Sequence, residues 1–289
     1  MKQPAIIFED DGLLVLNKPA GLLMHTHPGS TEKTLVDWLL KKYPSIKNVG
    51  EPVSASSTTY NLQPTTLRSG IVHRLDKDTS GVLLVAKTQE MYLFLKRQFS
   101  SGDAEVGYDK RPKKVYQALV YGSVKDDQGM INRPIGRSRT NPKLRMVGKK
   151  ATGNVREALT YYKVLERFTL PAVLEARLPN ASGSLASRTP GDSFTFLEAY
   201  PKTGRTHQVR VHLGSMGKPV LCDALYAPGK VCPLGLARHA LHAASIEIVM
   251  PGGERRRFSA SLPEDMANAL KLLKSTKHKA QKPNKLTKK

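Results

Sequence analysis

Two short apolar runs open the chain, "AIIFE" and "LLVLNK", and Asp10, Asp11 and Gly12 fall between them, the signature of a strand, a tight turn and a second strand. A Pro-Ala-Gly turn closes this unit. Leu35, Leu39 and Tyr43 then share a helical face with Trp38 beside them; Ser30 or Thr31 is placed to cap that helix and Pro44 to end it. Residues 45 to 70 are rich in Ser, Thr and Pro without periodicity and read as a loop. At Val82 the run "VLLVA" is apolar throughout, the pattern of a buried strand. Met91, Leu95 and Phe99 recur at spacings of four and predict a helix stopped at Gly102. "KKVYQALVYG" alternates, with Tyr116, Ala118 and Val120 on one face and Val115, Gln117, Leu119 and Tyr121 on the other.

Further strands are expected in "REALTYYKVLERF", "AVLEARL", "SFTFLEAYP" and "ALHAASIEIVM", with a surface hairpin or loop insertion at residues 179 to 193. In "TGRTHQVRVHLGSMG", Thr206 is placed to cap a helix whose stripe is Val209, Leu213 and Met216, leaving His207 and Arg210 off the stripe. A last helix packs through Met266, Leu270 and Leu273. Strands outnumber helices and short turns join many of them. The expected fold is therefore α+β, a single catalytic domain over residues 1–270 on a mixed, largely antiparallel β-sheet flanked by helices. Residues 271–289, with eight Lys and no acid, are expected to form a disordered tail.

Charge changes this picture from a fold to a partner. The 289 residues hold 46 Lys and Arg against 24 Asp and Glu, a net charge of +22, and removing the tail still leaves +14. Such a field attracts a polyanion, and RNA or DNA is the leading class. A membrane is the rival, but no stretch of about 18 apolar residues exists. The start "MKQPAIIFEDD" places acids where a signal peptide needs apolar residues. With only Cys222 and Cys232, a reducing, cytoplasmic setting and free buried thiols are expected. Those cysteines with His239 and His242 match no common zinc spacing, so no metal is assigned. No Gly-rich phosphate loop is present, which argues against a nucleotide cofactor.

Candidate chemistry concentrates in "GIVHRLDKDTSGVLLVAK", residues 70 to 87, where His73, Arg74, Asp76, Lys77 and Asp78 precede a Thr-Ser-Gly turn and the buried strand. Taken singly, Asp76 reads as a cap or ion-pair partner. On a loop fixed to a core and surrounded by cations, it also reads as an ionised nucleophile. Arg210 is the candidate cation, although an isolated Arg more often binds phosphate or faces solvent.

Three separated segments, "HRLDKDTSG", "KKVYQALVYG" and "TGRTHQVRVHL", resemble the signature segments of the RluA-type RNA pseudouridine synthases, and "LLVLNKPAGLLMH" and "ARHALHA" are similar to that family as well. The resemblance spans roughly residues 5 to 262. It implies the pseudouridine synthase fold and isomerisation of uridine to pseudouridine within RNA, without cofactor or metal. Asp76 falls on the family's catalytic aspartate, which attacks the nucleotide while the glycosidic bond breaks; the base then rejoins the ribose through carbon 5. Tyr116 falls on the tyrosine that stacks on the target base, Arg210 on the basic residue that pairs with the aspartate, and Arg74 on an arginine that holds the nucleotide out of its stack. His73, Arg205, His207 and Gln208, from the same motifs, are the further RNA-binding candidates. By its residues alone Tyr116 reads as a cross-strand aromatic.

The resemblance places the start of the chain almost directly at the catalytic domain, without the small N-terminal RNA-binding domain of many large-subunit rRNA members, so either 23S rRNA or tRNA fits as substrate; 23S rRNA is the leading expectation and tRNA the alternative. A monomer is expected. Where the family has Gly before Asp in its "GDxxY" segment, this chain has Cys222 before Asp223, which implies an altered turn. Two other classes compete: a non-catalytic RNA-binding protein on the same scaffold, and a basic hydrolase using Asp76 with His73 or His207. Release of tritium from carbon 5 of uridine separates them, because only the synthase reading predicts it.

Overall fold

The computed structural model describes residues 3–26, 31–51, 68–100, 110–141, 143–169 and 193–280, with residues 276–280 described by backbone alone. Two compact units are present, one of Met1–Val115 with His242–Ser261, the other of Tyr116–Leu241 with Leu262–Lys289.

In the first unit, β1 (Ala5–Glu9) and β2 (Leu13–Lys18) form the expected hairpin. Asp10 closes its turn, with Oδ1 accepting the N–H groups of Gly12 and Leu13 at 2.9 and 2.6 Å. β3 (Ser80–Ala86) pairs antiparallel with β2, from Leu13 opposite Ala86 to Lys18 opposite Gly81. Every residue of β3 is buried. A strand covered on both faces has no polar side to present, which is why the "VLLVA" run does not alternate. Helix α1 (Leu35–Lys42) is capped by Thr34 in a reciprocal box with Asp37, so neither Ser30 nor Thr31 is the cap. Helix α2 (Gln89–Phe99) starts on Thr88 and buries Tyr92 and Leu95.

The second unit contributes β4 (Lys113–Tyr121), whose first residues belong to the first unit, and β5 (Gln128–Asn132). β6 (Ile135–Ser138), β7 (Arg145–Val147) and β8 (Ala151–Arg156) form a separate small sheet in the order β7-β6-β8, which the hydrophobic pattern did not predict. β9 (Leu159–Thr169) and β10 (Ser193–Pro201) complete an antiparallel set in the order β4-β10-β9-β5. Phe168, Phe194, Leu197, Leu213, Leu221 and Leu270 lie in its core. β4 alternates only in part, since Ala118, Leu119 and Val120 are all buried.

Helix α3 (Gln208–Ser215) departs from its expected character. Its cap is His207, in the left-handed region at φ 57°, not Thr206, and every residue from Gln208 to Leu213 is buried. Arg210 and Gln208, which lie off the apolar stripe, find partners inside the protein, as described below.

Back in the first unit, β11 (Leu241–Val249) runs parallel to β3 at its start, His242 opposite Ser80, and pairs antiparallel with β12 (Arg255–Ser259) along the rest of its length. Gly81, at φ 119°, makes the parallel contact possible, since a Cβ there would run into the Ala243 carbonyl. The largely antiparallel, mixed α+β architecture is thus the one expected.

Helix α4 (Glu264–Ala280) packs through Met266, Leu270 and Leu273 as predicted, but it runs on through the first ten residues of the expected tail. Lysines are good helix formers and their charge is favourable near a helix C-terminus, so a charge run attached to an anchored helix extends it. The "AVLEARL" strand, nearly all of the 179–193 insertion and residues 281–289 lie outside the described residues.

Candidate active site

The charged loop is fastened at both ends to the first unit's core. Ile71 bridges to Val85 of β3 before it, and Leu75 within it is buried. His73 accepts the Leu84 N–H through Nε2 at 2.9 Å, and its ring stacks on Phe99 with centroids 4.9 Å apart. An accepting Nε2 leaves the ring proton on Nδ1. Burial first, and then the charge of Lys114, push the His73 pKa down to about 3, so the ring is neutral at physiological pH. In the protein itself His73 holds the loop to β3.

Asp76 and Lys77 are tied down through their main chain. The Asp76 carbonyl accepts the Thr79 N–H at 3.1 Å, which forms the turn, and the Lys77 carbonyl accepts the Gly21 N–H at 2.9 Å. Lys18, fully buried, donates from Nζ to the carbonyls of Pro19, Leu22 and Lys77, each at 2.9 Å. The Lys77 ammonium points outward to Glu32 at 2.8 Å. The outcome is a half-buried Asp76 side chain on a fixed turn, flanked by the exposed Arg74 and Lys77. A carboxylate placed this way is preorganised, because the loop need not be ordered when a substrate arrives.

Tyr116 and Arg210 belong to the second unit. Tyr116 sits on β4 opposite Ala199 of β10, half-buried against the core. Arg210 is buried, and the carboxylate its fork grips within its unit is Asp223: Nε to Oδ2 and Nη2 to Oδ1, both 2.7 Å. Burial alone would raise the Asp223 carboxyl, but the Arg210 hydrogen bonds and charge outweigh it and hold its pKa below the ordinary carboxylate value. Asp223 Oδ1 also accepts the N–H groups of Leu225 and Tyr226 at 3.0 and 3.1 Å. The Tyr226 ring lies 5.1 Å from the Arg210 guanidinium carbon. Its hydroxyl is 2.9 Å from His207 Nδ1 and accepts the Arg145 N–H of β7 at 3.0 Å.

Gln208 uses both ends of its amide inside the protein. Its Oε1 accepts from Thr203 Oγ1 and the Arg205 N–H, and its Nε2 donates to Leu159 O and Thr160 Oγ1. The side chain is buried among these partners and ties the start of α3 to β9. Arg205 is half-buried and anchored by Nε to the Glu157 carbonyl at 3.0 Å.

The cysteines also differ from expectation. Cys222 and Cys232 form a disulfide with Cα atoms 4.7 Å apart. The chain returns on itself after Asp223, and Tyr121 holds both stems, its hydroxyl accepting the Cys222 N–H at 3.2 Å and donating to Val231 O at 2.7 Å. That return brings together two thiols ten positions apart. Among the described residues no cluster of His, Cys, Asp or Glu is arranged to hold a metal ion, and no helix is long and apolar enough to cross a membrane.

The small sheet supplies a surface of one sign. From Gln128 to Arg156 the chain has eight cations and no acid. Arg133, Arg137, Arg139, Lys149, Lys150 and Arg156 among them are exposed.

Residues 12–215 match the profile of the RNA pseudouridylate synthase family. The chain belongs to that family. Members are isomerases that act on RNA. A ribosomal large subunit pseudouridine synthase D of Nitrosomonas europaea is 35% identical over 94% of this chain and 66% of its own length. An uncharacterized RNA pseudouridine synthase of Bacillus subtilis is 33% identical over 93% of this chain and 72% of its own. The chain thus spans about two thirds of the length of these curated relatives. A solved human RNA pseudouridylate synthase domain containing 1 aligns with a TM-score of 0.59 and 22% identity, over 94% of this chain and 95% of that one, and shares the fold.

Sequence reasoning missed Lys18, and it named Asp223 within the "GDxxY" segment without foreseeing that Asp223 and Tyr226 hold Arg210. The Asp-x-x-Tyr spacing of "DALY" was a signal for the latter pair, since an Asp accepts N–H groups two and three residues on when it caps a turn. A buried lysine on three carbonyls leaves no comparable mark, because Lys18 stands in a strand beside a proline like any surface lysine.

Proposed function

We propose that this chain converts uridine to pseudouridine within structured RNA, with Asp76 as nucleophile. Family membership sets the reaction class. The observation that carries the role of Asp76 is its loop, pinned by His73 on one side and by the Lys18 ammonium and the Gly21 N–H on the other. In this reading the carboxylate attacks the nucleotide as the glycosidic bond breaks, and the freed base returns to the sugar through carbon 5. Tyr116, Arg210 and Arg74 keep the roles that the resemblance gives them. Extruding the target nucleotide costs a few kcal/mol, and the cationic surface offsets part of that cost through phosphate contacts.

The substrate is 23S rRNA, a reading supported by relatives whose names refer to the ribosomal large subunit; tRNA is the second reading. The protein acts in the cytoplasm as a monomer. The test is Asp76→Asn with RNA tritiated at uridine carbon 5, in single turnover with excess enzyme. The expected variant is folded, binds RNA and releases no tritium; release at a tenth of the parent rate rejects Asp76 as nucleophile. Comparing pseudouridines in total RNA from strains with and without the gene names the target.

A further inference from the structure

The disulfide closes a loop that carries two residues in contact with Arg210. Asp223 follows Cys222 directly and holds the guanidinium through two bonds of 2.7 Å, while Tyr226 lies against its face. Cys222 itself is in the left-handed region at φ 60°. A residue with a Cβ disfavours that conformation, and the cross-link to Cys232 and the Tyr121 hydroxyl on the Cys222 N–H keep it there. Both cysteines are half-buried, and the neighbouring Lys230 and Val231 are exposed, so the cross-linked loop borders solvent.

We propose that Cys222–Cys232 is a reversible redox modification site whose oxidised form positions Arg210 through Asp223. Its co-reactant is a dithiol. The dithiol gives two electrons and two protons, the Cys222–Cys232 bond breaks into two thiols, and the reductant closes to its own disulfide; an oxidant of the glutathione-disulfide class runs the exchange backwards. In the reduced form Cys222 relaxes from the left-handed region. Asp223, one residue on, then turns away from the fork, and Arg210 loses its fixed placement. In a reducing compartment a disulfide of this kind is redox-sensing rather than permanent. The consequence for turnover rests on the proposed RNA reaction, whereas the loosening of the loop does not.

The experiment uses the full chain, equilibrated with oxidised glutathione or with dithiothreitol. Free thiols are counted by alkylation and mass spectrometry, amide hydrogen exchange is followed over residues 208–232, and tritium release is measured in single turnover on total RNA labelled at uridine carbon 5. The oxidised protein is expected to show no free thiol. Reduction is expected to speed exchange at residues 222–232 and to lower the single-turnover rate at least tenfold. Cys222→Ser/Cys232→Ser should behave as the reduced form in either buffer. Cys222→Gly/Cys232→Ser should stay near the oxidised rate in both, because glycine adopts φ 60° without a cross-link. Two free thiols under oxidised glutathione, identical exchange in the two states, or a serine double variant as active as the parent each overturn the proposal. If no form releases tritium, the RNA reading fails while the exchange data still decide the proposed switch.

Discussion

Acidification should loosen the loop that carries Asp76, and His73 sets the size of the effect. The Nε2 of His73 accepts the Leu84 N–H, so a proton placed on that nitrogen would break the bond and set two N–H groups against each other. The folded pKa, pushed down to about 3, lies below the unfolded value of about 6.5, so the unfolded chain binds the proton more readily between those limits. The contribution to stability is therefore full above about pH 6.5 and is lost as pH falls towards 3. Between pH 7 and pH 5 the loss is about 2 kcal/mol, from about 1.4 kcal/mol for each unit of separation. Urea unfolding of the parent and of His73→Gln at both pH values isolates this term, since glutamine retains an acceptor but does not titrate and the seven other histidines are common to both. The parent should lose about 2 kcal/mol more than the variant. Equal pH dependence in the two proteins would refute the assignment of His73 as a neutral acceptor.

Lys18→Met should cost about 3–5 kcal/mol in urea unfolding, because three carbonyls that share one ammonium lose their donor together. A loss below 1 kcal/mol would mean that water replaces it. Gly81→Ala should give insoluble protein or a Tm lowered by ten degrees or more, since the Ala243 carbonyl stands where the new methyl would go; a normal Tm would show that the parallel pair can separate. Deleting residues 281–289 removes four lysines and should reduce the salt slope of RNA binding while leaving thermal unfolding unchanged, and an unaltered slope would exclude phosphate contacts from this segment.

What the sequence reveals and what it hides divide along physical lines. Local periodicity finds β3, because a strand buried on both faces is a plain apolar run, and finds α2 and α4 from one apolar face each. It misreads α3, since Arg210, Gln208 and His212 are polar by type yet buried through partners supplied by distant segments. It misses β6, β7 and β8, whose residues are mostly charged or small and pair without covering a large core. The candidate nucleophile is legible because its neighbours in sequence are its neighbours in space. The Arg210–Asp223 pair and the disulfide are not: the first needs the chain to turn back between its two members, and the second needs it to return after Asp223.

The anchors of the Asp76 loop have a practical consequence. The bonds that fasten it run to carbonyls of residues 76 and 77, to the Leu84 N–H and to the His73 ring. These contacts are made by atoms other than the Asp76 carboxylate, the proposed nucleophile. A protein silenced at the Asp76 carboxylate would keep the shape of its turn and remain seated on whatever RNA it recognises, which makes it a bait: cross-linked in cells and recovered, it would bring its own target with it.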